Sequence, residues 1–531
     1  MSIRQVFMSI TYSVSFQHNV LFFSIIISAI LALLFMTFMT VEYDEAWIIA
    51  SAGQAFDPAA VPQVPPVMTT GGLHFLLLGF AQTFGVDPML SARAISFFCV
   101  VLLFVLIYRR VGDWCHSRAE KLIIVATCCA APGTIAMAGM GYGVSLALLL
   151  FLAGLVTLVR DPQITLRSAL LGGVLIGMAL ATRWTFLPAL PVIALVAFQS
   201  RPHLKTNLIQ VVVAGATAVA VFVGFFLLQS TMLEGTGPVE ALSLAERTAT
   251  NASAAGLTTH LPNPARTLAF LARFSAMLPI SLILITLLAY LALREDDRAR
   301  RMLLVFIGVA VLITVGWLLR SPFMHLRYIW PAYLFISLSA GLGLAYLYRK
   351  GHEQNAPSVQ AFAALMPVGL VLVQAVLMLR LVAVGAGMQV NAGGYDNLEN
   401  HYKPFYLHSE ERAIARYLAE SAPGAVFGTL TLPDEQGAIE LALLGQREII
   451  DFRRTNDVEI RPDFMITHRF SGVNQTGAAW YSALGEPVAT VGGYTVYALP
   501  AATDIPNIDS VLLPNELYRF TLTKGVSLTG W

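Results

Sequence analysis

The sequence predicts a mainly α-helical, polytopic membrane bundle followed by a smaller α/β domain outside the bilayer. Three observations predict it. Hydrophobic residues make up 56% of the 531 residues and charged residues 12%, about half the charge that clothes a soluble protein; mean hydropathy is +0.69. The apolar residues are gathered into runs about as long as a bilayer core is thick. After about Gly385 the runs stop, and a more polar pattern punctuated by Pro and Gly takes over. This composition excludes an ordinary cytosolic enzyme and a disordered chain. A net charge of +1 argues against nucleic acid as a partner.

Eleven runs read as spans: about Val20–Val41, Ala92–Tyr108, Leu122–Met140, Val144–Val159, Ala169–Thr182, Phe186–Phe198, Leu208–Leu228, Leu268–Leu293, Met302–Leu319, Tyr328–Leu347 and Ala361–Val384. The fifth and sixth are short. The first is too long for the apolar core of a cleaved signal peptide, and no small-residue cleavage site follows it. Gly72–Phe84 is apolar but too short to cross, and reads as an amphipathic helix on the outer membrane surface.

Sidedness follows from Lys and Arg. Arg109, Arg110, Arg118, Lys121, Arg160, Arg167, Arg201, Lys205, Arg294, Arg298, Arg300, Arg301, Arg349 and Lys350 fall in one set of loops, and Val41–Ser91 contains no Lys or Arg. The N-terminus is therefore expected in the cytoplasm, and the loop Val41–Ser91 and the C-terminal domain outside. Residues 1–384 form the expected bundle and 385–531 the extracytoplasmic domain. In that domain Ser409–Glu420 reads as a helix. Ala425–Leu432, Glu448–Phe452, Asp463–Thr467 and a hairpin around Gly492–Gly493 read as strands. The usage is rich in Ala and Leu and poor in Lys, which suggests a bacterial inner membrane and a periplasmic tail. Cys99, Cys115, Cys128 and Cys129 give neither a disulfide framework nor metal-ligand spacing.

The chemistry-bearing residues lie on the outer side. Glu42-Tyr43-Asp44-Glu45 follows the first span. Two readings fit it. Asp44 caps a helix Glu45–Ala55, with Glu45 favoured by the helix dipole; or the acids supply a general base or divalent-metal ligands at the mouth of the bundle. Val64-Pro65-Pro66-Val67 comes next, then Gly85…Asp87-Pro88…Arg93 leading into the second span. Leu171–Trp184 (LGGVLIGMALATRW) is a glycine-punctuated span ending in Arg183. His325-Leu326-Arg327-Tyr328-Ile329-Trp330-Pro331 opens the tenth span. Outer cations are Arg93, Arg183, Arg247, Arg266, Arg273, Arg320 and Arg327, and each also fits a snorkelling or interfacial anchor. Asp87 reads as a helix cap, and His74 and His325 read as interfacial residues.

In order and sidedness these phrases resemble the polytopic glycosyltransferases of the GT-C fold. The match is to the protein-mannosyltransferase-like and aminoarabinose-transferase-like branch, which uses polyprenyl-phosphate sugars. Asp44-Glu45, Pro65-Pro66, Gly85…Arg93, Gly173…Gly177…Arg183 and Arg327-Tyr328…Pro331 carry the resemblance over roughly Val20 to Tyr346. Two departures stand out: Arg183 replaces a usual Lys, and Val64–Gly72 lacks the basic residue of some relatives.

The resemblance implies an inverting glycosyltransferase on the outer face of the cytoplasmic membrane. Its donor would be a polyprenyl-phosphate sugar and its acceptor an envelope lipid, lipid-linked glycan or protein. Asp44 is the expected base. Glu45 would orient it or help hold a divalent cation such as Mg or Mn. Arg93, Arg183, Arg327, His325 and Tyr328 are the expected donor and phosphate contacts. The competing class is a transporter or flippase of a lipid-linked sugar. Mid-span charges and inverted repeats would mark that class, and the sequence has neither. In the tail, Arg453-Arg454 and Trp480-Tyr481 are candidate acceptor contacts, since aromatic rings stack on sugar faces.

Overall fold

The computed structural model describes residues 13–38, 43–57, 72–198, 201–234, 286, 297–320, 326–385, 407–421, 423–430, 432, 437–452, 461–469 and 473–511. The bundle opens with α1 (Val14–Phe38), α2 (Tyr43–Phe56), α3 (Gly72–Gln82) and α4 (Pro88–Arg110). The 25 residues of α1 reach roughly 38 Å, enough to cross a bilayer core. Helix α3 has 11 residues, reaches only about 16 Å and cannot cross. It buries Leu73, His74, Phe75 and Leu78 against the bundle and leaves Leu77 and Phe80 exposed. Helix α4 starts where Asp87 accepts the Leu90 N–H at 2.7 Å with Pro88 in its first turn, a favoured N-terminal arrangement. It ends on Arg109 and Arg110.

The run 122–140, expected as one span, is two helices: α5 (Arg118–Cys129) and α6 (Thr134–Ala138). The cause lies between them. Pro132 has no N–H to give, and Gly133 adopts φ +84°, a left-handed conformation that ends helices. Thr134 Oγ1 then donates to the Cys128 carbonyl. Next come α7 (Val144–Val159) and α8 (Leu166–Thr182). The expected sixth span is a 3₁₀ segment, Trp184–Ala189, joined to the short α9 (Pro191–Ala197), because Pro188 and Pro191 interrupt the α-helical ladder. Helices α10 (Leu204–Glu234), α11 (Asp297–Arg320), α12 (Leu326–Glu353) and α13 (Pro357–Gly385) complete the bundle. The expected span Leu268–Leu293 lies outside the described residues apart from Thr286. Among the described residues, five helices are long and apolar enough to cross a membrane. The four cysteines are free thiols.

Small residues let α8 sit close to two neighbours, the packing device of membrane helices. A Cβ on Gly173 would stand 2.5 Å from the Ala214 carbonyl of α10, and one on Gly177 would stand 2.6 Å from that of Ala218. On the α7 side a Cβ on Gly154 would stand 2.9 Å from the Gly172 carbonyl. The Gly173…Gly177 phrase therefore works in helix packing.

The tail holds α14 (Leu407–Glu420), β1 (Phe427–Thr429), α15 (Gly437–Gly445), β2 (Ile449–Asp451), β3 (Phe464–His468), α16 (Gln475–Ala483), β4 (Ala489–Val491), β5 (Tyr494–Ala498) and α17 (Ile508–Val511). Its sheet has the order β2-β1-β3-β5-β4. The β1 strand is parallel to both β2 and β3; β3–β5 and β5–β4 are antiparallel. The hairpin turns at Gly492–Gly493, where the sequence expects it. One cluster joins Ile414 and Leu418 of α14 to Phe427, Ile466 and Val496. A second joins Tyr481, Ile508 and Val511 to Leu430, Ile450 and Met465. Helix α15 faces both ways. Leu441 lies in the tail's core, while Leu443 and Leu444 pack into the bundle's core, where α15 meets α2.

Replacing Gly177 by Leu should push α8 off α10 and cost about 1–3 kcal/mol, as overpacking does. Gly215→Leu is the control, since a side chain there meets nothing within 4 Å. Thermal melts of both variants in detergent, with only Gly177→Leu lowering the midpoint by several degrees, would bear this out.

Candidate active site

The loop 139–143 (Gly-Met-Gly-Tyr-Gly) joins α6 to α7, and three helix starts converge on its centre. Glu45, in the first turn of α2, is fully buried. Its Oε1 accepts Arg93 Nε at 2.9 Å and the Gly141 N–H at 2.7 Å; its Oε2 accepts Arg93 Nη2 at 2.8 Å. Arg93, one turn into α4 and 1% exposed, also donates through Nη1 to the Met36 carbonyl of α1 at 2.8 Å. This is a bidentate fork, the strongest geometry for such a pair. His74 of α3 donates from Nε2 to the Gly141 carbonyl at 3.0 Å. The backbone of a single residue, Gly141, thus ties α2, α3 and α4 together. A Cβ at Gly141 would stand 2.7 Å from Ala92 Cβ and 3.2 Å from Glu45 Oε1, so the close approach requires glycine.

Two further residues enclose the loop. Arg183, the last residue before the 3₁₀ turn, is 3% exposed, and its guanidinium lies 6.0 Å from the Tyr142 ring centre, within cation–π range. A Cβ on Gly143 would touch the His74 ring. Burial lowers the His74 pKa to about 4; the Gly141 carbonyl pulls it up and the Arg183 charge pushes it down further. His74 is therefore the neutral Nε2–H tautomer, as its bond to a carbonyl requires.

The remaining candidates are placed as follows. Asp44 lies inside the first turn of α2, since the helix begins at Tyr43 and not at Glu45; its side chain lies outside the described residues. The same holds for the side chains of Arg327 and Tyr328, which stand in the first turn of α12, and for Arg320 at the end of α11. His325, Arg247, Arg266, Arg273, Pro65-Pro66 and Arg453-Arg454 fall outside the described residues. Trp330, fully buried in α12, donates to Thr134 Oγ1 at 3.0 Å. It brings the Arg327–Tyr328 turn to the end of the bundle that holds the loop. Asp87 caps α4 as expected. Tyr481 is buried, and its hydroxyl donates to the Ile466 carbonyl and accepts the Leu430 N–H; it holds the tail together and offers no face to a sugar.

Two participants escape the sequence reading. One is Gly141, whose signal is three alternating glycines inside an otherwise apolar stretch. The other is Arg412 of α14. Burial and the Arg93 charge hold it below the ordinary arginine range, while Asp87 and Glu411 pull it up. The tail therefore delivers a cation within electrostatic reach of the start of α4.

Glu45 does not fit as a metal ligand. Both its oxygens are engaged by Arg93 and Gly141, and a cation there would have to displace a buried guanidinium. Among the described residues no group of three or more His, Cys, Asp or Glu comes together.

Comparison with solved structures shows the fold. The chain superposes on the crystal structure of ArnT from Cupriavidus metallidurans bound to undecaprenyl phosphate with a TM-score of 0.56 at 15% identity, covering 91% of this chain and 98% of that one. The apo state of the same protein gives the same values. The apo Archaeoglobus fulgidus oligosaccharyltransferase aligns at 13% identity and a TM-score of 0.45, covering 83% of this chain and 65% of that one. On the first of these likenesses the chain has a GT-C fold, a polytopic helical membrane bundle. No family model matches the sequence, and no curated protein matches it significantly.

Removing one member of a buried ion pair leaves an uncompensated charge. Glu45→Gln or Arg93→Met should each cost about 3–5 kcal/mol, and the double variant should recover part of that loss. A thermodynamic cycle from urea or thermal unfolding measures the coupling; purely additive losses would exclude it.

The depressed His74 pKa makes stability depend on pH. Above the unfolded value of 6.5 the neutral imidazole costs nothing. As pH falls from 6.5 towards 4 the unfolded chain takes up a proton that the folded one refuses, so stability drops. Melts across this window should show the decline, and His74→Gln, which keeps a donor for the Gly141 carbonyl, should flatten it.

Proposed function

We propose that this chain is an inverting glycosyltransferase. It moves a sugar from a polyprenyl-phosphate-linked donor to an envelope lipid, lipid-linked glycan or protein at the outer face of the cytoplasmic membrane. One observation carries the reading. Residues that the sequence resemblance singles out from three distant segments, Glu45, Arg93 and Arg183, meet around one five-residue loop at one end of the bundle. The basic ends of α4 and α12 (Arg109, Arg110, Arg349, Lys350) lie at the other. The likeness to ArnT bound to undecaprenyl phosphate over nearly the whole chain supports the donor class.

In this reading the acceptor hydroxyl oxygen attacks the anomeric carbon while the bond from that carbon to the phosphate oxygen breaks. The electron pair leaves with the phosphate, and the configuration at the anomeric carbon inverts. The acceptor proton passes to the Asp44 carboxylate. Arg183 and Arg327 neutralise the charge growing on the departing phosphate, each worth about 3 kcal/mol in rate terms, with His325 and Tyr328 beside it. Glu45 and Arg93 have a positioning part. Their fork fixes the α2 turn that carries Asp44, so the base stands on a rigid element.

The test is transfer of label from polyprenyl-phosphate sugars to an envelope extract by purified protein in lipid. Wild type should transfer, and Asp44→Asn should fall by at least two orders of magnitude with its melting midpoint unchanged. Near-normal turnover in Asp44→Asn would sink the assignment. Net lipid flipping without transfer would mark a transporter.

A further inference from the structure

The opposite end of the bundle holds a cleft that the transfer reaction does not use. Its volume is about 630 Å³, within the range of ligand pockets and larger than a bare phosphate fills. It lies between the start of α1, the turn before α5, the end of α12 and the start of α13. Helix α1 runs from Val14 in the cleft wall to Met36, whose carbonyl accepts Arg93 at the candidate active site. Those 22 steps along a helix separate the two places by about 33 Å.

Five basic or imidazole side chains line the cleft: Arg349, Lys350, His18, His116 and His352. Two carboxylates face them, and both have work to do. Glu120 accepts Ser117 Oγ at 2.9 Å and the His116 N–H at 3.2 Å, while Ser117 Oγ accepts the Glu120 N–H. This is a reciprocal capping box for α5. Glu353 pairs with Lys350 at 3.2 Å across one helical turn. The Arg349 guanidinium stands 5.4 Å and the Lys350 ammonium 5.7 Å from the ring centre of Tyr346, so one aromatic ring stands within reach of both cations at the cleft. The first turns of α5 and α13 reach the wall through Ser117, Glu120 and Gln360, and helix starts favour negative charge. The Tyr346 and Tyr348 side chains also line the cleft. Beside them α1 exposes Phe22 and Phe23, the apolar surface of a lipid-facing helix.

We infer that this cleft is a second ligand site, which binds an anionic phosphate-bearing ligand on the face of the membrane opposite the candidate active site. The Arg349 fork matches phosphate oxygens two at a time and Lys350 adds a point charge. The same chemistry is offered by the headgroup of an anionic phospholipid and by a free phosphate, and the experiment separates the two. The inference does not rest on the transfer reaction.

The full-length protein, purified and delipidated in detergent, is mixed with phosphatidylglycerol, with phosphatidylcholine, or with inorganic phosphate alone, and bound adducts are counted by native mass spectrometry. Wild type should retain phosphatidylglycerol about tenfold better than phosphatidylcholine if a lipid headgroup is the ligand. It should show phosphate adducts that displace the lipid if free phosphate is the ligand. Arg349→Gln/Lys350→Gln should lose either adduct about tenfold. Arg109→Gln/Arg110→Gln, on the same face but outside the cleft, should keep it. Equal retention of the two lipids with no phosphate adduct in wild type would overturn the site, as would equal losses in the two double variants. Should Arg349→Gln/Lys350→Gln fail to fold, the wild-type preference and the half-buried His18→Asn variant decide in its place: retention unchanged by His18→Asn and equal for both lipids rejects the cleft.

Discussion

The Glu45 carboxylate is the constraint on which the end of the bundle around the loop 139–143 depends. A buried charge is costly unless geometry and hydrogen bonds offset its lost hydration. Here three N–H donors meet it: two from one guanidinium and one from the Gly141 backbone. The guanidinium in turn reaches the last turn of α1 through the Met36 carbonyl. The Gly141 carbonyl, which would otherwise be stranded in a dry interior, is met by His74. Backbone that leaves the helix inside a membrane protein must find such partners within the protein. The break at Pro132-Gly133 is repaired locally, where Thr134 Oγ1 donates to the Cys128 carbonyl. The loop that follows α6 leaves the helix again, and the candidate active site is built from the partners of its Gly141 backbone groups.

The same constraint explains why the tail sits where it does. Helix α15 puts Leu443 and Leu444 into the bundle core beside α2 while Leu441 stays in the tail's own core. Moving the tail would therefore disturb the helix that carries Asp44 and Glu45. Arg412 approaches Arg93 and Asp87, so the tail also contributes charge to the start of α4. Polar recognition on the tail, by contrast, has to avoid Tyr481, whose hydroxyl and ring are spent on joining α16 to the sheet. The domain is coupled to the site mechanically through α2 and electrostatically through Arg412.

Much of this was legible in the sequence, for reasons that differ by element. Long apolar runs such as α1 and α4 announce themselves because a bilayer imposes their length, and α4 also ends on Arg109 and Arg110. The Asp87-Pro88 start of α4 and the Gly492–Gly493 turn were readable because their chemistry is local. The interruption at Pro132-Gly133 was hidden, since hydropathy is blind to backbone dihedrals and the residues around it are apolar. Glu45 and Arg93 were both picked out, but as separate catalytic and phosphate-binding candidates. Their pairing is invisible in sequence because they stand 48 positions apart and nothing local records which carboxylate meets which cation. Arg412 was hidden for the same reason at greater range.

These placements redistribute the labour among the charged residues around the loop 139–143. An arginine locked in a fork with a buried carboxylate is poorly placed to follow a phosphate whose charge grows only as the bond breaks. Binding that is equally strong before and during the reaction lowers no barrier. What the geometry gives Arg93 is the holding of its neighbours, Glu45 and the Met36 carbonyl. Arg183 differs in kind. It follows directly on the last turn of α8, packs over Tyr142 and acts electrostatically on His74, so its charge bears on the loop itself. The neutral His74 matters for that balance. A protonated imidazole beside Arg183 would repel it, and burial at this position keeps the ring uncharged. At this end of the bundle one acid–base pair is thus consumed in making the scaffold rigid, while a second cation, Arg183, stands over the loop at Tyr142.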